Sequence, residues 1–427
     1  MRAPGAVALA LAVSLALALV PPSSAGPGTP PNGGDRPAPA WSEEVVGQLP
    51  GAAFSTVGNL DGDRAREIVA TSFGKVSGFG PTAGGTVATY DRNRKGQWVR
   101  RDVIRPEDGI QFPNDPTLAD VDGDGRTDII EPGGFFICTP CGSLSWWRNN
   151  PNGTWTRHDL VVPGGPEFYH RAVLVDLDKD GDKDLVTVAE TAANALTMVF
   201  PGTGTGFETT PVVLGEGLGS LPTVVDVDGD GDLDIASAQY FSRNGSFAWL
   251  ERVADPGYGV YVKHVINAEL GGSIQLSRVP GIGWVGTNHS NTTSGPPGTA
   301  TSGVYLFTPG SNPRLPWSAR LISEAMTSRS DNALGQQQGA PGVFGWGDLD
   351  GDGDTDLAVS GDGDRHLYVL RQLAPGRFRT EAIANDRGQS GGGAFLRTSR
   401  RRMAVLFSSY DAGLVALYHQ VWPKRGR

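Results

Sequence analysis

The chain has 427 residues, of which 61 are glycine, 31 proline and only 2 cysteine, with a formal net charge of -10. This composition excludes a disulfide-stapled small protein, a coiled coil and a long-helix bundle, and the absence of a basic excess argues against nucleic-acid binding. The glycine and proline load points instead to many short strands joined by tight turns.

In chain order, residues 1–25 read as a cleaved secretory signal. Arg2 precedes an apolar run over residues 6–20, and Ser23, Ser24 and Ala25 supply small residues for a cleavage site. The run is short for a bilayer span and none of spanning length follows, so the expected product is secreted and extracellular, with no membrane span. Residues 26–40, rich in Pro and Gly, read as a leader, and residues 41–427 as one domain.

Within that domain five acidic segments repeat: NLDGDRARE (59–67), DVDGDGRTD (120–128), DLDKDGDKD (176–184), DVDGDGDLD (226–234) and DLDGDGDTD (348–356). Their starts lie 61, 56, 50 and 122 residues apart. The doubled last interval predicts a degenerate copy midway, and residues 278–287 fit it, with apolar strands but no acidic loop. A seventh copy, residues 395–407, carries basic residues where the acidic loop would be.

Each unit follows one strand plan. In the second unit, strands are predicted over residues 116–121, 128–131, 144–148 and 154–161, with the acidic segment between the first two. Four strands per unit and no intervening helix describe the blades of a β-propeller. The seventh unit stops after its third strand (414–418), whereas residues 41–46 form a fourth strand with no unit before it. The expected fold is therefore all-β, a seven-bladed propeller of four-stranded blades, its ring closed by the N-terminal strand pairing into the last blade.

Carboxylates at alternate positions of a tight loop converge on one point, and glycine at position 6 permits the sharp turn. This all-oxygen arrangement suits a hard cation such as Ca²⁺. The expected ligands in the second unit are Asp120, Asp122, Asp124 and Asp128, with the carbonyl of Arg126. Those in the third are Asp176, Asp178, Asp180, Asp182 and Asp184, and in the fourth Asp226, Asp228, Asp230, Asp232 and Asp234. The sixth unit offers Asp348, Asp350, Asp352, Asp354 and Asp356. The first segment departs from the pattern, with Asn59, Asp61, Asp63 and Glu67 as donors and Arg64 in place of glycine, so weaker or no binding is expected there. Four to five Ca²⁺ ions, structural in role, would bring the chain close to neutral.

These motifs resemble the FG-GAP/VCBS repeat family, which includes the propeller of integrin α-subunits and many secreted bacterial proteins. The resemblance runs over roughly residues 41–420 and is firmest at the acidic loops. It implies a calcium-bearing propeller, in a family that hosts adhesion modules, lectin-like binders and some polysaccharide lyases.

The acidic loops share a face with the connections between third and fourth strands. The opposite face carries the longer and more varied connections, where binding function is expected. Cys138 and Cys141 lie there and are expected to form a small-loop disulfide in an exported protein. Tyr169, His170 and Arg171 are candidates for proton transfer and carboxylate binding in a β-elimination, and ordinary rim residues otherwise. His289 with Asn288 and Asn291, and the polar stretch 330–338, are weaker candidates. Trp98, Trp155, Trp249 and Trp317 recur at strand positions and are expected to pack between blades. The favoured function is a carbohydrate- or extracellular-protein-binding module, adhesive or lectin-like. The alternatives are a carbohydrate-active lyase or hydrolase on the same face, and a purely structural surface protein.

Overall fold

Each acidic segment opens into a run of β-branched and apolar residues, such as Ile129 and Ile130 after Asp128 or Leu185 and Val186 after Asp184. Such runs are too short for helices and pack well on a pleated surface. In the computed structural model they form seven four-stranded antiparallel sheets in a ring, a seven-bladed β-propeller, with no α-helix among the described residues. The structure describes residues 39–422 except 64, 75, 78–79, 82–83, 192–193, 240–244, 289–301, 325, 327–339, 386, 388–389 and 400–401. The expected signal, all but the end of the leader, and the candidates His289, Asn291 and 330–338 lie outside the described residues. Among those described, no helix is long and apolar enough to cross a membrane.

Blade 1 comprises Ala52–Gly58, Glu67–Ser72, Thr86–Arg92 and Trp98–Ile104. Blade 2 comprises Thr117–Ala119, Asp128–Gly133, Gly142–Asn149 and Trp155–Gly165, and blade 3 Ala172–Val175, Asp184–Glu190, Ala195–Phe200 and Val212–Glu216. Blade 4 comprises Thr223–Val225, Asp234–Ala238, Phe247–Ala254 and Val260–Asn267, and blade 5 Ser273–Val279, Gly283–Asn288, Gly303–Thr308 and Ser318–Leu321. Blade 6 comprises Phe344–Gly347, Asp356–Val359, Leu367–Ala374 and Arg377–Ala384. Blade 7 takes Ala394–Ser399, Arg402–Ser409 and Leu414–Val421 from the C-terminal end, and Ala40–Gln48 as its outer strand. Ala40 stands opposite Val421 and Gln48 opposite Leu414, so the two ends of the domain close the ring within one sheet and leave no open blade there.

The apolar core is divided among the seven junctions between blades. Ile129 and Trp147 of blade 2 pack on Val69 and Val87 of blade 1, and Trp249 of blade 4 joins Trp284 and Trp317 of blade 5. Trp155 and Trp98 sit half-buried in the same kind of junction. Each strand therefore buries alternate side chains against the preceding and the following blade, which is why both faces of the second and third strands are apolar. A small further cluster of Leu221, Ile274 and Val343, with Phe54 against it, gathers the first-strand entrances of blades 4, 5, 6 and 1. The first strand of blade 2 is shorter than the sequence predicts because Asp120 and Val121 are drawn into the acidic loop.

Candidate functional site

The five acidic loops all join the first and second strands of their blades, in blades 1, 2, 3, 4 and 6. In each, three carboxylates bring one oxygen apiece within 4.8 Å of one another. The trios are Asp61, Asp63 and Glu67; Asp120, Asp122 and Asp128; Asp176, Asp178 and Asp184; Asp226, Asp228 and Asp230; and Asp348, Asp350 and Asp356. The loop backbone holds this geometry by itself. The position-1 carboxylate accepts the N–H of the position-6 glycine, from Gly125 to Asp120 at 2.8 Å and from Gly353 to Asp348 at 3.2 Å. That glycine is in the left-handed region in every case, with φ of 85° at Gly125 and 102° at Gly181. Position 3 accepts from position 5, and position 5 from position 7, as in Asp124 to Asp122 and Arg126 to Asp124. Asp124, Asp180 and Asp352 lie outside the trios at the exposed rim, and the position-7 residues Arg126, Asp182, Asp232 and Asp354 are half-buried beside them. The blade 1 loop keeps the same turn despite its altered sequence, with Asn59 Oδ1 accepting from Gly62 and Glu67 Oε2 from Leu60.

The acid at position 9 has a second role that its place in the repeat did not disclose. It is buried, and in blades 2, 3, 4 and 6 its two oxygens take backbone N–H groups from two different segments. Asp234 accepts from Val227 at 2.8 Å and from Arg252 on the third strand at 2.9 Å. Asp128 does the same with Val121 and Asn149, Asp184 with Leu177 and Gly202, and Asp356 with Leu349 and Gln372. Each thereby clamps the loop to the end of the third strand. Burial raises these acids: Asp234 and Asp356 are pushed up to about 7, and Asp128 and Glu67 also rise. In blades 2 and 4 the side chain at the clamped third-strand position then reaches the preceding blade. Asn149 Nδ2 donates to the carbonyl of Leu60 at 2.6 Å, and Arg252 Nη1 to that of Leu177 at 2.5 Å. Gln420, from blade 7, reaches Leu349 of blade 6 in the same way.

Four carboxylate oxygens in these loops, Glu67 Oε1, Asp176 Oδ1, Asp232 Oδ1 and Asp350 Oδ1, are buried without a hydrogen-bond partner. A buried acceptor left unpaired is costly. An all-oxygen donor set of this kind, with no sulfur or imidazole, fits a hard divalent cation such as Ca²⁺.

The opposite face is aromatic. Phe73 (blade 1), Phe112 (between blades 1 and 2), Phe135 and Phe136 (blade 2) and Tyr410 (blade 7) lie in its connections, and Phe54 joins them from the first strand of blade 1. Ring centroids are 5.1 Å apart for Phe73 and Phe112, 5.5 Å for Phe112 and Phe135, and 6.2 Å for Phe73 and Tyr410. Phe136 is 45 % exposed, while Phe54, Phe73, Phe135 and Tyr410 are half-buried. Phe112 is buried at φ 48°, a left-handed conformation that costs a phenylalanine about 1–3 kcal/mol and gathers at functional sites. The Cys138–Cys141 disulfide, as expected, closes the loop that carries Phe135 and Phe136.

Tyr169, His170 and Arg171 belong to this face but point into its wall. Tyr169 and His170 are buried, and the His170 ring lies 5.6 Å from those of Phe135 and Phe168, tilted against the first and edge-on to the second. Burial, helped by the Arg171 charge, holds His170 down at about 3, and burial drives the Tyr169 hydroxyl well above its usual range. Arg171 is paired with Asp115 at 2.6 Å. The expected proton-moving loop thus contributes buried aromatic packing and an ion pair. A different constellation, unmarked in the sequence reading, stands in the connection of blade 6. Asp364 Oδ1 lies 2.6 Å from His366 Nδ1, and Tyr368 Oη lies 3.3 Å from the same nitrogen. Their i, i+2, i+4 spacing where the connection enters the Leu367–Ala374 strand was the available signal. Two buried carboxyls were missed as well. Glu190 receives Ser220 Oγ and is pushed up to about 8 by burial, and burial also raises the fully buried Glu131 well above the usual carboxylate range.

Residues 135–187 match the FG-GAP-like repeat family, a stretch that runs from the blade 2 connection through the acidic loop of blade 3. No curated protein matches the sequence. Similar solved structures include the α-L-arabinanase of Penicillium chrysogenum complexed with arabinobiose, at 11% identity over 88% of this chain and 97% of that one, TM-score 0.46. The GH93 α-L-arabinofuranosidase of Fusarium graminearum, also with arabinobiose, is similar at 8% identity over 87% and 93%, TM-score 0.43. The rhamnogalacturonan lyase of Bacillus licheniformis is similar at 13% identity over 90% and 74%, TM-score 0.37. Likenesses at this level carry nothing about ligand or activity. The chain is a seven-bladed propeller that contains an FG-GAP-like repeat at residues 135–187.

Proposed function

We propose that this chain is a secreted, calcium-binding β-propeller that works as a binding module, with its ions structural and its ligand on the face opposite the acidic loops. The observation that carries the binding role is the aromatic cluster. Phe73, Phe135, Phe136 and Tyr410 offer partly exposed rings from three adjoining blades, on a face where Tyr169 and His170 are buried and Arg171 is paired with Asp115. Ring faces of this kind stack on the apolar faces of sugars, which favours a carbohydrate over an extracellular protein as the ligand. A glycan array with the calcium-loaded protein tests it. Binding that Phe136→Ala and Phe135→Ala weaken, without a change in melting temperature for Phe136→Ala, supports the reading, and no binding to any glycan sinks the carbohydrate part.

The calcium role is supported by the five carboxylate trios and by the unpaired buried carboxylate oxygens of four of the loops. The carboxylates would hold the ion by charge and coordination, relieving their mutual repulsion and stabilising the folded state by mass action. Chelation is expected to lower the melting temperature, and an unchanged melt counts against it.

A carbohydrate-active enzyme is the second reading, favoured by the Asp364–His366 pair. Asp364 orients the imidazole through Nδ1, which leaves Nε2 as the proton acceptor. Incubation with uronic-acid polysaccharides that releases unsaturated products, lost in His366→Ala, would replace the binding-module reading with this one.

A further inference from the structure

We infer that an arginine guards the position-3 carboxylate in three of the four complete acidic loops, those of blades 2, 4 and 6, and thereby ranks their calcium affinities. The inference rests on the calcium reading above. Strand register makes the blades comparable. The residue after position 9 pairs with Trp147, Phe200, Leu250 and Leu370 on the third strands of blades 2, 3, 4 and 6. The next residue along each third strand lies over the acidic loop, and it is Arg148, Pro201, Glu251 and Arg371 in turn.

In blade 2, Arg148 pairs with Asp122 and, at 3.1 Å, with Asp124. In blade 6, the buried Arg371 is 2.8 Å from Asp350 and is backed by Glu381 at 3.0 Å. Blade 4 has an anion at this position, and the guard comes from elsewhere. Arg314, on the connection between the third and fourth strands of blade 5, inserts between Glu251 and Asp228 and lies 2.9 Å from Asp228. Two different routes therefore bring a guanidinium to the same carboxylate. Blade 3 has proline there, and among the described residues no arginine or lysine pairs with a carboxylate of residues 176–184. Its neighbour is the neutral Tyr258, whose hydroxyl donates to Asp184 at 2.9 Å.

A guanidinium on a ligand carboxylate opposes an incoming divalent cation in two ways: it repels the ion, and it occupies an oxygen the ion needs. The blade 3 loop accordingly fills first, and the loops of blades 2, 4 and 6 need higher free calcium. Without calcium the order of stability reverses. The guarded loops keep a counter-charge on position 3, whereas the blade 3 carboxylates crowd together and, among the described residues, make no ion pair even with the loop's own Lys179 and Lys183, so this loop opens first.

Calorimetric titration of the calcium-free full chain with CaCl₂ tests the ranking. Arg148→Gln and Arg314→Gln, both at solvent-exposed side chains, are each expected to shift one ion from the weaker to the tighter class, a gain of about tenfold. Pro201→Arg is expected to shift the blade 3 ion the other way. A second readout does not depend on affinity: hydrogen exchange during calcium withdrawal is expected to open residues 176–184 before 120–128 and 348–356. Affinities within about twofold of the parent in Arg148→Gln and Arg314→Gln would overturn the role of the arginines. A parent chain that takes up no calcium at all overturns the calcium reading itself, and the inference with it.

Discussion

Replacing Asp234 by alanine, in the presence of chelator, isolates the clamp at position 9 from any part it would play as a ligand. The substitution strips the acceptor from two backbone donors, Val227 N at 2.8 Å and Arg252 N at 2.9 Å. Each buried donor left unpaired costs about 1–3 kcal/mol. Against that stands the relief of a buried carboxyl whose charged form is disfavoured, as its rise to about 7 shows. The net loss is then about 3 kcal/mol. Spread over the folded unit Ala40–Arg427, at about 2.1 cal/mol/K per residue, this lowers Tm by about 4 °C. Asp234→Asn keeps one acceptor and is expected to lose less. The assay is a thermal melt followed by circular dichroism in EDTA. If Asp234→Ala melts with the parent in EDTA and separates from it only in calcium, position 9 is a ligand and no clamp.

Three further outcomes are expected. Asn149→Ala removes the bond from blade 2 to the Leu60 carbonyl of blade 1 and should cost about 1–2 kcal/mol; hydrogen exchange should quicken over residues 59–67 and not over 176–184, where Arg252 still holds Leu177. Glu190 rises from 4.5 to about 8 because burial disfavours its charge, so the stability it contributes is full below pH 4.5 and is lost as pH rises through 8; melts from pH 5 to pH 9 should show a fall that Glu190→Gln flattens. Deletion of residues 40–48 exposes the Leu414–Val421 strand along its whole length, and size-exclusion chromatography should show association or aggregation in place of the parent's peak.

Much of this architecture is local and was therefore legible in the chain. The period of the acidic segments, the doubled interval that hid the fifth blade and the orphan strand near residue 41 together specify seven blades and their closure. The carboxylate trios are equally local, because alternate residues of one tight loop must converge wherever the loop is placed. The disulfide follows the same rule, closing across three residues.

What lay beyond the sequence depends on partners far along the chain. That position 9 is a clamp follows from third-strand backbones 16 to 21 residues away, and the reach of Arg314 to Asp228 spans 86. Tyr169 and His170 looked like exposed chemistry because their residue types are polar; the fold buries both and keeps His170 neutral, so neither presents its polar atoms to solvent as the sequence suggested. The aromatic face was hidden for the same reason, its phenylalanines being scattered singly over the connections of several blades until the ring brings them together. The repeat by itself determined the number of blades and the shape of the acidic loops, since both arise from contacts within a few residues. Only the tertiary structure decided which carboxylates meet an arginine, which loops are latched across a blade junction and which side chains face solvent, because those depend on segments that meet only when the ring is closed.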